Sequence, residues 1–113
     1  MYYTYMLRCI DNSIYTGITT NVERRMSEHF SKNERCAKYT KNHNAKKLEL
    51  VFKSESRVLA SKLEYHIKKL SKSKKEELLS DPKKLDELLK DKIDSSKYDV
   101  AYQKIWQHNL KNV

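Results

Sequence analysis

The sequence is nearly without glycine and proline, with one of each in 113 residues. Glycine-rich linkers and proline-rich spacers are therefore excluded. No apolar run approaches the roughly 18 residues that a membrane-spanning helix needs, and 35% of the residues are charged. The first ten residues include Arg8 and too short an apolar stretch for a secretory leader. Cys9 and Cys36, the two cysteines, make neither a disulfide framework nor a metal-ligand spacing. A reduced, cytoplasmic setting is the expectation from that usage. The length suits one domain rather than two. Disorder fits poorly, because eight tyrosines, one tryptophan and many leucines supply packing groups.

What the chain has in excess is positive charge. The formal net charge is +9, and +7 of it lies within residues 1–70. The densest stretch runs from Lys32 to Lys47, where Lys32, Arg35, Lys38, Lys41, Lys46 and Lys47 face only Glu34. Such a patch concentrates polyanions and speeds their encounter. On charge alone, a solvated surface explains it almost as well. A membrane-surface role fits less, since the patch lacks the amphipathic helical pattern that role requires.

Tyr2 to Ile10 and Ile14 to Ile18 read as strands joined by the turn signal Asp11-Asn12-Ser13, hence a β-hairpin. Tyr3, Tyr5, Leu7 and Cys9 share one face by strand periodicity. Gly17, the lone glycine, marks either a close approach, a positive φ or a bulge at the strand end. Thr20-Asn21-Val22-Glu23 matches a capping box and predicts a helix with the apolar stripe Val22, Met26 and Phe30. At 100° per residue, Arg25 and His29 lie about 60° and 20° from Val22, bordering the buried face, whereas Arg24 points near 200°, toward solvent. Residues 31–47 read as a loop carrying the basic cluster and Tyr39, an aromatic able to stack on a base. Leu48 to Lys53 reads as a third strand, with Leu48, Leu50 and Phe52 on one face and Val51 on the other.

Ser54 or Ser56 caps a second helix running to about Leu70, with the apolar arc Leu59, Ala60, Leu63, Ile67 and Leu70. Glu64 lies about 40° beyond the edge of that arc. Ser73-Lys74-Lys75-Glu76 predicts a third, short helix. Asp81-Pro82 predicts a fourth, carrying Leu85, Leu88, Leu89 and Ile93. A last helix is expected from Ser96 or Asp99 to Leu110, packed through Val100, Ile105, Trp106 and Leu110.

Thr4-Tyr5-Met6, Ile14-Tyr15-Thr16-Gly17, Arg25, His29 and Glu64 together resemble the GIY-YIG nuclease superfamily, and in particular its small stand-alone bacterial-type members. The two tyrosines are ten residues apart and Arg25 follows the second by ten. The run Tyr15 to Arg25, Ala37-Lys38-Tyr39-Thr40 and Leu48-Glu49-Leu50-Val51-Phe52 are similar to those small members too. The first motif departs from the family pattern by reading Thr4-Tyr5 where a glycine and isoleucine are usual, and the second by placing Thr16 in its middle. The resemblance covers roughly residues 2–80.

The resemblance implies an α+β fold: a small three-stranded, mostly antiparallel sheet flanked by helices, with additional C-terminal helices. Residues 1–80 would form the nuclease-like domain and 81–113 a helical extension packed on it. It implies a metal-dependent DNA endonuclease that hydrolyses phosphodiester bonds. Single-stranded or structured DNA suits one small cleft. The cofactor would be Mg²⁺ or Mn²⁺ held by Glu64, because hard oxygen donors suit these ions. Tyr5 would activate water, with Tyr15 positioning, His29 orienting a tyrosine or relaying a proton, and Arg25 gripping phosphate oxygens. Nucleic-acid contacts would come from Gly17, Arg25, Lys32, Arg35, Lys38, Tyr39, Lys41, Lys46 and Lys47.

Each of these residues alone has an ordinary explanation: cross-strand tyrosines, a surface arginine, a solvated glutamate. Two rival functions follow. One is a non-catalytic nucleic-acid-binding protein on the same fold. The other is a helical interaction adaptor that uses residues 83–113.

Overall fold

The computed structural model describes residues 1–31 and 43–103. Strands β1 (Tyr2–Cys9) and β2 (Ile14–Thr19) form the expected hairpin. Its turn is held by Asp11, whose carboxylate accepts from the Ser13 amide at 3.1 Å, while Asn12 takes φ 70°. Asparagine tolerates that left-handed conformation better than most residues. Helix α1 (Val22–Ser31) is capped by Asn21, whose side-chain oxygen accepts from the Arg24 amide at 3.0 Å. The cap is thus one residue later than the predicted box at Thr20. Strand β3 (Ala45–Ser54) follows, then α2 (Arg57–Lys68), capped by Ser56, and α3 (Lys72–Ser80), capped by Ser71 rather than Ser73.

The sheet has four strands in the order β2-β1-β3-β4, every neighbouring pair antiparallel. This corrects the expectation of three. The added strand, β4 (Asp99–Gln103), lies where the last helix was expected to start. The predicted partners Ile105, Trp106 and Leu110 lie outside the described residues. The physical reason is the edge of β3, whose unpaired amides and carbonyls need partners. Phe52 pairs with Val100 and Val51 with Tyr102, and valine and tyrosine favour such a half-buried pleat.

The fourth predicted helix is also shorter than its apolar spacing suggested. Asp81 caps a single 3₁₀ turn, Pro82–Lys84, that leads into α4 (Leu85–Leu88). The chain then reverses at Asp91, φ 67°, which lets Ile93 return to the same core as Leu85 and Leu89.

Both faces of the sheet are covered. On one, Met6, Leu50 and Phe52 pack with Leu63 and Ile67 of α2, Leu78 of α3, and Leu85, Leu89 and Tyr98. On the other, Tyr5, Leu7 and Val51 pack with Tyr3, Tyr15, Leu48, Tyr102, and Val22 and Met26 of α1. Leu48 therefore shares a face with Val51, not with Leu50 and Phe52. The cause is a bulge: Met6 pairs with Leu50 but Leu7 pairs with Leu48, so Glu49 is the extra residue and the alternation slips by one. Phe30 leaves the predicted stripe and is 44% exposed.

Two hydrogen bonds lock α2 to the sheet region. The buried Thr4 hydroxyl donates to the Ala60 carbonyl at 3.1 Å, and the Tyr98 hydroxyl to the Leu59 carbonyl at 2.7 Å. No helix among the described residues is long and apolar enough to cross a membrane.

Candidate active site

Odd-numbered residues of β1 and β2 point to the α1 side of the sheet, so Tyr5 and Tyr15 share a face with their ring centroids 6.1 Å apart. Helix α1 lies over them, and the residues it buries are not apolar. They are Glu28 and His29. A helix that buries a carboxylate and an imidazole incurs a desolvation cost, which hydrogen bonds must offset.

His29 is bonded to the Tyr5 phenol, 1% exposed, and Glu28 to Arg25, which reaches the same phenol. Its hydroxyl lies 2.7 Å from Nε2 of His29, which is wholly buried. Arg25 Nε donates to the same oxygen at 3.3 Å, and Arg25 Nη1 donates to Glu28 Oε1 at 2.8 Å. The His29 ring also touches both tyrosines, its centroid 5.5 Å from each. Arg25 and His29 are thus joined at one atom, as their shared border position on the helix suggested.

Gly17 pairs directly with Tyr5 across the hairpin. A β-carbon there would stand 2.5 Å from the Tyr5 hydroxyl oxygen, 2.7 Å from Cζ and 3.0 Å from Cε2 of Tyr15. Its φ is not positive. Of the three readings open for this residue, close approach applies: the Tyr5 ring lies across the bare backbone.

Electrostatics follow from burial. Desolvation and the neighbouring Tyr15 push the Tyr5 phenol well above its ordinary value, against the pull of Arg25. Burial, with the Arg25 charge beside it, lowers His29 to about 4. His29 is therefore neutral at pH 7, and in its Nδ1–H tautomer Nε2 accepts from the Tyr5 hydroxyl. In that tautomer the chain runs Arg25 Nε–H to Tyr5 Oη–H to His29 Nε2. Burial disfavours the Arg25 cation, but Glu28 and the Tyr5 oxygen outweigh it and hold the guanidinium charged.

Glu64 enters from α2. Strand β2 is one edge of the sheet, and Lys68 brings its ammonium 5.7 Å from the Tyr15 ring centre. One turn earlier, the half-buried Glu64 pairs with that ammonium at 3.4 Å. Among the described residues no group of three or more His, Cys, Asp or Glu side chains clusters as a metal cage. A closed zinc site does not fit this donor set. A single carboxylate oxygen donor suits Mg²⁺ or Mn²⁺, which keep several waters and share the remaining positions with substrate phosphates.

Of the expected nucleic-acid contacts, Lys46 and Lys47 lie on β3 rather than in a loop, because the strand begins at Ala45. Lys32, Arg35, Lys38, Tyr39 and Lys41 lie outside the described residues. Glu28 and Lys68 were not singled out by sequence. The signal for Glu28 was available, since Arg25 and Glu28 stand three apart on a helix, a spacing that brings opposite charges together.

A strand-hairpin tyrosine pair, overlaid by a helix that contributes arginine and histidine, is the arrangement of the GIY-YIG nucleases. The chain belongs to this family: the GIY-YIG catalytic domain matches residues 1–77. Its relatives include proteins of the UPF0213 group. The chain is 49% identical over 90 residues to UPF0213 protein FN1575 of Fusobacterium nucleatum, spanning 80% of this chain and 85% of that one. It is 42% identical over 80 residues to UPF0213 protein NP_0776A of Natronomonas pharaonis, spanning 71% and 92%. The solution NMR structure of UPF0213 protein BH0048 from Bacillus halodurans is 42% identical, spans 71% of this chain and 84% of that one, and has a TM-score of 0.46.

Proposed function

We propose that the protein is a metal-dependent DNA endonuclease that hydrolyses phosphodiester bonds, acting on single-stranded or structured DNA. The observation that carries this reading is the buried run Arg25–Tyr5–His29, a phenol that accepts from a fixed cation and abuts a neutral imidazole. A packing tyrosine needs neither.

Phosphodiester hydrolysis requires an activated water and charge against the crowded phosphate. Tyr5 takes a proton from the attacking water while its own proton passes to Nε2 of His29. This relay spares the phenol a full negative charge, which its burial disfavours. Tyr15 positions the water and phosphate beside it. Arg25, whose guanidinium also bonds Tyr5 and Glu28, meets the phosphate oxygens with the same planar fork. A divalent cation, held by Glu64, supplies positive charge at the phosphate when bound. Lys68 neutralises Glu64 in its absence.

The test is cleavage of labelled hairpin, flap, single-stranded and duplex DNA in Mg²⁺, Mn²⁺ or EDTA. The expected result is EDTA-sensitive cleavage, strongest on a single-stranded or structured member of the panel. Tyr5→Phe, Arg25→Ala and Glu64→Ala each lower it by at least about 100-fold while the thermal transition persists. DNA binding without cleavage in any metal overturns the catalytic reading, and retained cleavage by Glu64→Ala rejects the metal role of that residue.

A further inference from the structure

A second cleft opens beside Arg25. It has a volume of about 340 Å³, and its lining includes Tyr2, Thr19, Arg24, Arg25, Glu28 and Arg57. Three guanidiniums from two helices therefore line one space. Arg24 and Arg25 come from the start of α1, and Arg57 is the first residue of α2. Helical spacing alone directs Arg24 to bulk solvent. Arg57, at the start of α2 on the other face of the sheet, lines the same groove.

Among the described residues Glu28 is the one carboxylate that lines the cleft, and Arg25 binds it at 2.8 Å. Among the described residues no carboxylate pairs with Arg24 or Arg57. The first turn of α2 holds no acidic residue, so the positive end of its helix dipole adds to the field. Like charges gathered without a counter-charge repel one another, an arrangement that a bound polyanion relieves.

We infer that this cleft is a second phosphate subsite, where Arg24 and Arg57 hold a backbone phosphate neighbouring the one that meets Arg25 and Tyr5. The inference rests on the nuclease reading and adds to it the path of the strand: across the starts of α1 and α2. Guanidiniums suit the task because they stay charged at any working pH and grip phosphate oxygens in pairs. The shape suits a continuous sugar-phosphate chain, because the groove shares Arg25 with the reaction centre. Both arginines are exposed, so their replacement leaves folding nearly unchanged.

The experiment uses Arg24→Gln, Arg57→Gln and the double variant, with Lys90→Gln as an equal charge change outside the cleft. Binding of a single-stranded oligonucleotide is titrated against salt in EDTA, and kcat and KM are measured in Mg²⁺. Each cleft variant should lower the slope of log affinity against log salt by about 0.7, the value for one phosphate contact on a single strand. Affinity should fall roughly threefold to tenfold per arginine, with the loss in KM rather than kcat. An oligonucleotide with one neutral methylphosphonate beside the cleavage point should bind the parent protein less well and the double variant no worse than the normal strand.

Salt slopes and KM equal to those of Lys90→Gln overturn the subsite while leaving the nuclease reading intact. Unchanged DNA binding together with lost capture of a poly-glutamate peptide overturns it in favour of an acidic protein partner. Competition by inorganic phosphate as potent as by the oligonucleotide overturns the extended-strand assignment. If the parent protein cleaves no DNA at all, the nuclease reading itself fails and the subsite falls with it.

Discussion

At the scale of single residues, the site is organised by an absent side chain. Gly17 leaves room for the Tyr5 ring, whose oxygen is wedged between Arg25 and His29 and cannot retreat. Gly17→Ala should therefore destabilise the fold by about 1–3 kcal/mol, the usual cost of overpacking. It should also cut cleavage at least tenfold by displacing the phenol. Thermal unfolding and a cleavage assay read the two effects, and an alanine variant with parental stability and rate refutes the close-contact account. That the lone glycine mattered was legible in the sequence. Which of its three uses applied was not, because that depends on what lies across the strand.

At the scale of elements, Arg8 joins three of them. Its guanidinium contacts Glu49 in the β3 bulge at 2.8 Å and grips both oxygens of Glu76 on α3 at 2.6 and 2.7 Å. The Arg8 and Glu49 side chains are 11% and 12% exposed, so that pairing is shielded from water, whereas Glu76 is partly open to it. Arg8→Met leaves Glu49 half-buried and unpaired, and should cost roughly 2–3 kcal/mol, somewhat under the value for fully buried pairs. The Arg8 hydrogen bonds hold the Glu76 carboxyl below its usual range. A depressed carboxylate contributes stability that is fully present above its unfolded value, near 4.3, and is lost as the pH falls through the folded value. Denaturant melts between pH 7 and pH 3 should show the parent losing stability below about pH 4.3 more steeply than Glu76→Gln. Parallel curves would falsify the linkage. Nothing in the spacing of Arg8, Glu49 and Glu76 foretold this clamp, since the bulge and the docking of α3 create it.

At the scale of the whole molecule, residues after 80 complete the packing that begins with β1. Leu85, Leu89 and Tyr98 belong to the same core as Met6, Phe52 and Leu63, and β4 covers the edge of β3. Each such leucine contributes about 1.5–3 kcal/mol on burial, against a total stability of about 5–15 kcal/mol for an ordinary domain. A chain ending at Asp81 should therefore lose its cooperative thermal transition, as read by circular dichroism. A sharp transition in that truncated chain would show that residues 1–81 fold alone. Within the described residues 83–103, Leu85, Leu89 and Tyr98 are turned inward and are not available to the partner that a helical adaptor would bind.

The hairpin, the two main helices and the border position of Arg25 and His29 were determined by the sequence itself. Alternation of period two, helical stripes and capping residues are local, and they act before any tertiary contact forms. Only the tertiary structure decided that 99–103 is a strand, that Leu48 changes face, that Gly17 lies under a phenol, and that Arg24 and Arg57 share a groove. Each of these depends on a partner distant in the chain: an unpaired sheet edge, a bulge set by register, a ring laid across a strand, or the start of a second helix lining the same groove. Such partners leave no periodic trace in the segment they reshape.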